Sequence, residues 1–455
     1  MFLGKAALTQ AEQAAADSML RAARDWMAMF AGQAPWLLDG TVHSLNLPCA
    51  IAGELARLIT VELEGHVCAP TGERPQKTAR AEFLQAQLTP VLHALRTQCE
   101  YAVAGGSLVM KPFLENGSIG VDFVRAGSFI PTQWNSRGEA TGAVFLEQIA
   151  RPDGWYTRLE RHTMQADRYT VENRAFYSAT RDALGAPVAL DAVPQWAGLQ
   201  ETWAVQCADG TAPEVPLFVC FRMPFANQVE PSSHAGVSAY SRAVALLEQA
   251  DRQYSRILWE YEGSELAVDA SVGAVQAEDG NMRLPRTAQR LFRELAVDRG
   301  DGGDLYSVFS PAIRDASLFN GLENLLRRIE FACYLSYGTL SNAQNVEKTA
   351  EEIKMSRQRS YSAVCDMQKS LAVCLTQLVC VMDLYATLYG LAPEGEYETA
   401  FSFGDAVTTD TAAEREAMRA DCRDGAAAWW EYRMRFYGES ETEAKSRAAQ
   451  AQAKA

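Results

Sequence analysis

The feature that most constrains this chain is a helical pattern running over about residues 348–390. Apolar residues recur there in steps of three and four, at Val364, Met367, Leu371, Leu375, Leu378, Met382, Tyr385 and Leu388. At about 1.5 Å per residue such a helix is roughly 60 Å long. A rod with one apolar stripe must lie along a body that covers the stripe. Its most apolar part, 371–391, has the length of a membrane span. It also carries Thr376, Gln377 and Asp383 and continues a charged helix without a break. The pattern therefore predicts one buried face, not an all-round apolar surface, and no membrane partner.

With 455 residues the chain is long enough for a large core and for more than one domain. The net charge of −15 argues against a dedicated nucleic-acid binder, which would be basic. It is compatible with a surface that must avoid sticking to DNA. The ten cysteines form no CxxC pair. Cys365, Cys374 and Cys380 fall in one helical segment and read as small apolar fillers, which fits a reducing compartment. "MFLGKAALTQAEQ" has no apolar core of signal-peptide length, so secretion is not expected.

Before the long helix the chain changes period several times. Helices are predicted over 11–30, over 44–65 with Pro48 in a first turn and a stripe of Ile51, Leu55, Leu58 and Ile59, and over 79–101. Gly105-Gly106 breaks the last of these. Over 107–178 the period is two, with "ENG", "NSRG" and "PDG" between the runs, as in a mostly antiparallel β meander. Residues 179–215 read as irregular, and "PLFVCFRMPFANQVEPSS" adds a strand and a polar loop. A rod of about 26 residues, roughly 39 Å long, is predicted next. Its seam is Val237, Tyr240, Val244, Leu247, Tyr254, Leu258 and Tyr261, with Asp251 interrupting it. Residues 264–311 read as a small β/α insert. Helix returns over 317–335 with Leu318, Leu322, Leu325, Ile329 and Ala332 on one face. After the long helix come a strand in "YETAFSFGDAV", Ala/Glu/Arg-rich helices from Thr411 and a tail, "ETEAKSRAAQAQAKA", expected to be frayed. The fold class is α+β.

Three stretches invite a chemical reading. "LSYGTLSNAQNVEKTAEEIKMS" joins two helices through Gly, Ser, Asn and Lys-Thr, yet a phosphate-binding loop needs GxxxxGK[ST] after a strand, and Gly338 is too far from Lys348. Its local reading is a helix N-terminus, with Asn345 as cap and Glu347 facing the dipole. Glu160 and His162 share a strand face and could begin a metal site. Histidines at 43, 66, 93 and 234 supply no third ligand, and a solvated face is the expectation. The cluster "RRIE", 327–330, reads as solvated or interhelical charge. There is no GxSxG elbow and no paired Cys/His constellation, so no enzyme and no cofactor are expected.

Taken in order, longer strings resemble the portal proteins (head–tail connectors) of tailed phages, of the type found in siphophages and prophages of Gram-positive bacteria. They are "SLNLPCAIAGELARLITVE", "GGSLVMKPFLENGSIGVDFVRAGSFIPTQWNSRGEATGAVFLEQ", "PLFVCFRMPFANQVEPSSHAGVSAYSRAVALLEQADRQYSRILWE", "FSPAIRDASLFNGLENLLRRIEF", "GTLSNAQNVEKTAEEI" and "FSFGDAVTTD". The resemblance runs from about Trp26 to Arg447. Where the family often has Gly-Leu-Ser ahead of Gly-Thr-Leu-Ser, this chain has Tyr334-Leu335-Ser336. It also has Gly404-Asp405 where the family usually has Asp-Asp or Asp-Ser.

The resemblance implies a portal-type fold: a β-rich wing over 1–232, a stem helix over 233–262, a small α/β clip over 263–310 and a second stem or wing helix over 311–335. A tunnel loop over 336–347, a long wing helix and returning strand over 348–410, and a helical crown over 411–455 follow. It implies a homo-oligomeric ring, commonly a dodecamer, in the virion at a capsid vertex, assembled in the host cytoplasm. Its partners would be double-stranded DNA, a terminase, a head–tail adaptor, and capsid and scaffolding proteins. The channel residues would be Ser341, Asn342, Gln344, Asn345, Glu347 and Lys348. Short polar side chains there would touch phosphates weakly and reversibly. The alternatives are a metal-dependent hydrolase or nuclease using the β region, and a non-ring helical scaffold.

Overall fold

The computed structural model describes residues 10–70, 75–207, 210–264, 267–271, 292–295, 306–309, 312–342, 350–404, 418–423, 427–437 and 444–448. Helix α1 is Gln10–Phe30 and α2 is Leu47–Thr60, with Pro48 in its first turn and Ile51, Leu55 and Ile59 fully buried. Strand β1, Leu63–Cys68, leads to α3, Pro75–Gly105. Helix α3 runs four residues past the predicted 101, as far as the glycine pair that breaks the pattern. Gly106 has φ +85, and a Cβ there would collide with the backbone of Val237 and Ser238, so the chain reverses on a glycine.

Two antiparallel sheets follow. Strands β2 (Ser107–Glu115) and β3 (Ser118–Arg125) form a hairpin on Asn116-Gly117, both with positive φ, as a two-residue primed turn requires. In the second sheet, β4 (Phe129–Trp134), β5 (Ala140–Arg151), β6 (Gly154–Met164), β7 (Tyr169–Ser178) and β8 (Ala186–Val188) run in chain order. Strand β9 (Thr202–Val205) also pairs with β7. Strand β10 (Val219–Arg222) returns to β2, so the first sheet has order β10-β2-β3.

The predicted rod is shorter than its seam. Helix α4 is Val244–Gly263, 20 residues, preceded by a 3-10 turn at Ser241–Ala243. Val237 and Tyr240 are buried but lie ahead of the helix. There Ala239 N–H donates to the Val103 carbonyl at 3.1 Å and the Tyr240 hydroxyl to the Trp26 carbonyl at 2.7 Å. These bonds to α3 and α1 hold the segment out of the helix. The buried face of α4 is Leu247, Ala250, Asp251, Ile257 and Glu260, whereas Tyr261 is exposed. Asp251 is therefore no interruption. It accepts the Trp36 indole N–H at 2.9 Å and the Leu45 N–H at 2.8 Å, and so fixes the connection between α1 and α2.

Strands β11 (Ala267–Ser271), β12 (Phe292–Leu295) and β13 (Tyr306–Phe309) form a three-stranded sheet, β12-β11-β13. Helix α5, Asp315–Ala332, then packs back along α4. Gln253 donates to the Leu318 carbonyl and Glu260 pairs with Arg314 at 2.8 Å, so the two helices are antiparallel.

Helix α6, Ala350–Leu388, has 39 residues. Val364, Met367, Leu371, Leu375, Leu378, Met382 and Tyr385 are buried, against α2, α3, β2 and β10, while Leu388 is exposed. Its segment 358–388 is long and apolar enough to cross a membrane by length and composition, and here its stripe is the centre of the main core. Buried Arg80 of α3 pins its end, donating to the Asp383 carboxylate at 2.6 Å, to the Asp383 and Ala392 carbonyls, and to Thr387. Strand β14 (Glu398–Phe403) pairs with β1, and α7 is Trp429–Tyr437.

Candidate functional site

The segment after α5 is built from the end of that helix. Tyr334 takes a left-handed conformation, φ +61, and Leu335 N–H closes back on the Glu330 carbonyl at 2.9 Å. Tyr334 N–H meets the Phe331 carbonyl, completing the paired bonds of a Schellman ending, with buried Leu335 as its apolar residue. A glycine is the usual occupant of that left-handed position. Tyr334 is kept there by its ring, which stacks on Phe225 at 4.8 Å between centroids, and by its hydroxyl, which accepts from Arg242 at 2.8 Å. A turn follows over 336–339, with Thr339 N–H on the Ser336 carbonyl and Gly338 at φ +89.

Glu330 then organises the loop. It has no exposed surface. One carboxylate oxygen accepts the N–H of Gly338 at 3.1 Å, of Leu340 at 2.6 Å and of Ser341 at 2.9 Å. The other accepts the Ser341 hydroxyl at 2.9 Å. The "RRIE" cluster reads from the sequence as solvated or interhelical charge, but its acid is a core residue bonded to loop amides. It lies four and eight residues after Leu326 and Leu322, on the buried stripe of α5. Leu326, not Leu325, belongs to that stripe. Glu323, two turns earlier on the same face, accepts the Asn342 N–H at 3.0 Å. Residues 338–342 therefore run back along α5 toward its N-terminus. On the other side, Arg359 of α6 places its guanidinium 4.0 Å from the Phe331 ring centre and donates to the Leu335 carbonyl.

Of the residues named from the sequence, Ser341 is buried with its hydroxyl on Glu330, and Asn342 is exposed. Gln344, Asn345, Glu347 and Lys348 lie outside the described residues.

Glu160 and His162 are not on a solvated face either. Strand β6 is flanked by β5 and β7, and Lys111 reaches across from β2 of the other sheet. Glu160 is bonded to both its strand neighbours Arg158 (2.8 Å) and His162 (2.7 Å), and to Lys111 (3.0 Å). The other ring nitrogen of His162 lies 2.8 Å from the Tyr169 hydroxyl, and Phe145 and Phe218 pack edge-on against the ring. Burial alone would push the Glu160 pKa up. The hydrogen bond to His162 and the charges of Lys111, His162 and Arg158 outweigh it, and hold the carboxyl well below its usual range. Burial pushes the His162 pKa down, against the pull of Glu160. Neutral His162 donates from Nε2 to Glu160 and accepts from Tyr169 at Nδ1. Among the described residues, no group of three or more His, Cys, Asp or Glu is placed to hold a metal. Burial also pushes the Cys99 and Cys220 thiols up to about 12, as for inert fillers.

No family model matches the chain, and no curated protein matches it. Solved structures resemble it remotely. The neck of a native GTA particle computed with C12 symmetry aligns over 91% of this chain and 92% of its own, with 10% identity and a TM-score of 0.41. The neck of an empty GTA particle computed with C6 symmetry aligns over 85% and 89%, at the same identity and TM-score. A likeness this remote assigns no role to any residue of this chain.

Proposed function

We propose that this chain is a portal-type head–tail connector: a structural subunit that assembles into a ring and lines a passage for double-stranded DNA. The order of elements carries the reading. A β meander, a helix, a three-stranded insert, a second helix antiparallel to the first, a loop held by its main chain and a long core helix succeed one another as the portal resemblance requires. On this reading 1–232 is the wing, 263–310 the clip and 336–347 the tunnel loop. Terminase and adaptor dock on the ring, which sits in the virion. The loop's described part, 336–342, has no charged residue. With a subunit charge of −15, that suits a wall along which a polyanion slides without being gripped. The hydrolase alternative loses its candidate site, because Glu160 and His162 are engaged by Lys111, Arg158 and Tyr169.

Electron microscopy of the purified protein tests the reading. End-on rings with an axial hole are expected, and a compact monomer with metal-dependent hydrolysis overturns it. Deleting 342–346 should leave rings intact and impair DNA packaging or retention. Unchanged packaging would remove the tunnel-loop role.

A further inference from the structure

We propose that Glu330 is the positioning residue of the loop after α5: its buried carboxylate fixes the main-chain path of residues 338–341, so that Asn342 leaves the helix surface at a defined point. The proposal concerns how the loop proposed above as a channel wall is held. The clasp itself is a property of the chain whether or not DNA passes it.

The argument begins with cost. Removing a carboxylate from water costs several kcal/mol unless its lone pairs are satisfied. An ionised carboxylate has about four acceptor positions. The loop fills that number, with three N–H groups and the Ser341 hydroxyl. A leucine at the same stripe position would pack against α4 and the core without that cost. It would also leave the Leu340 and Ser341 N–H groups to find other partners, with Gly338 N–H kept only by the Ser341 hydroxyl at 3.3 Å, and would permit the loop to slip. What Glu330 supplies is therefore a single path, specified amide by amide. Two further contacts extend the same path. The Schellman ending through Tyr334 and Leu335 sets where the loop starts, and Glu323 takes the next amide, that of Asn342. Residues 334, 335, 338, 340, 341 and 342 are thus each referred to α5. The contacts of Arg359 with Phe331 and with the Leu335 carbonyl join α6 to the same root.

Site-resolved hydrogen exchange on the full chain tests this. In the wild type the amides of Gly338, Leu340 and Ser341 should be protected although they lie in a loop. Glu330→Leu keeps the apolar stripe and removes both acceptor oxygens. Exchange at these three amides should rise roughly 10- to 100-fold, while α3 amides and ring formation stay as they were. Glu323→Ala should speed Asn342 alone. Unchanged protection in Glu330→Leu, or equal acceleration throughout α5 and α6, would overturn the clasp. DNA retention in the same variant is a separate readout. Loosened amides with unimpaired retention would uphold the clasp and sink the channel role of the loop.

Discussion

Glu160 in the β meander and Glu330 at the end of α5 are both carboxylates taken out of water, and different chemistry satisfies them. Glu160 is met by side chains that carry charge, Lys111 from the first sheet and Arg158 from its own strand, with His162 beside it. Glu330 is met by main-chain N–H groups of a loop eight to eleven residues ahead. The first arrangement ties two sheets together. The second shapes one loop. A charge cluster can be kept while backbones shift, since long side chains follow. A carboxylate bonded to three amides admits one backbone path only. The meander is thus built for cohesion, and the end of α5 for geometry.

The largest expected effect breaks the first arrangement. Glu160→Ala strands mostly buried Lys111 without a carboxylate and leaves His162 without its acceptor, while Arg158 keeps Glu147 and Asn173. Such a break costs about 3–5 kcal/mol. Denaturant midpoints of the purified protein should fall accordingly, and the cost should be global, since the cluster joins both sheets. A loss below about 1 kcal/mol would show that the cluster is solvated in practice.

Acid should probe the same cluster. His162 has a folded pKa below its ordinary 6.5, so the unfolded chain binds the proton first. Its contribution is complete above about pH 6.5 and is lost as pH falls toward the folded value. Glu160, also lowered, contributes above its ordinary 4.5 and is lost below that. Stability should therefore begin to drop below about pH 6.5, with a slope of up to about 1.4 kcal/mol per unit, and drop further below about pH 4.5. In His162→Asn the first drop should be flattened and the second retained. Chemical denaturation across that pH range reads both. An unchanged upper arm would place the responsible histidine elsewhere.

The sequence makes local signals legible and distant partnerships not. The stripe from Val364 to Tyr385, the early Pro48 and the Asn116-Gly117 hairpin depend on neighbours within a few residues, and each is found where periodicity puts it. Asp251, Glu160 and Glu330 are a different case. An acid reads the same in a string whether water or a distant group meets it. Asp251 finds Trp36 across 215 positions, and Glu160 finds Lys111 across 49. For Glu330 a signal was present. It falls on the i, i+4, i+8 line of Leu322 and Leu326, where a solvated acid does not belong. Asp251 carries the same mark, four residues after Leu247, although a heptad seam makes it look like a break.

The smallest effect sharpens the second arrangement, by asking whether charge alone sets the loop. Tyr334 occupies a left-handed position of the kind glycine usually fills, at a conformational cost of about 1–2 kcal/mol. Tyr334→Gly relieves that strain. It also forfeits the stack on Phe225, about 0.5–1.5 kcal/mol, and the Arg242 hydrogen bond, about 1 kcal/mol. It adds chain entropy to the unfolded state, about 0.5–1 kcal/mol. The losses together exceed the relief, so stability should fall by about 1 kcal/mol. The informative quantity is the coupling. If packing and the clasp fix the root together, Phe225→Ala should cost less in the Tyr334→Gly background than in the wild type, by about 0.5–1.5 kcal/mol. The amides of Gly338, Leu340 and Ser341 should meanwhile keep their protection, because Glu330 still holds them. Loss of that protection in Tyr334→Gly would mean that the ring, and not the carboxylate, sets the path, and that the contrast between the two buried acids is one of setting alone.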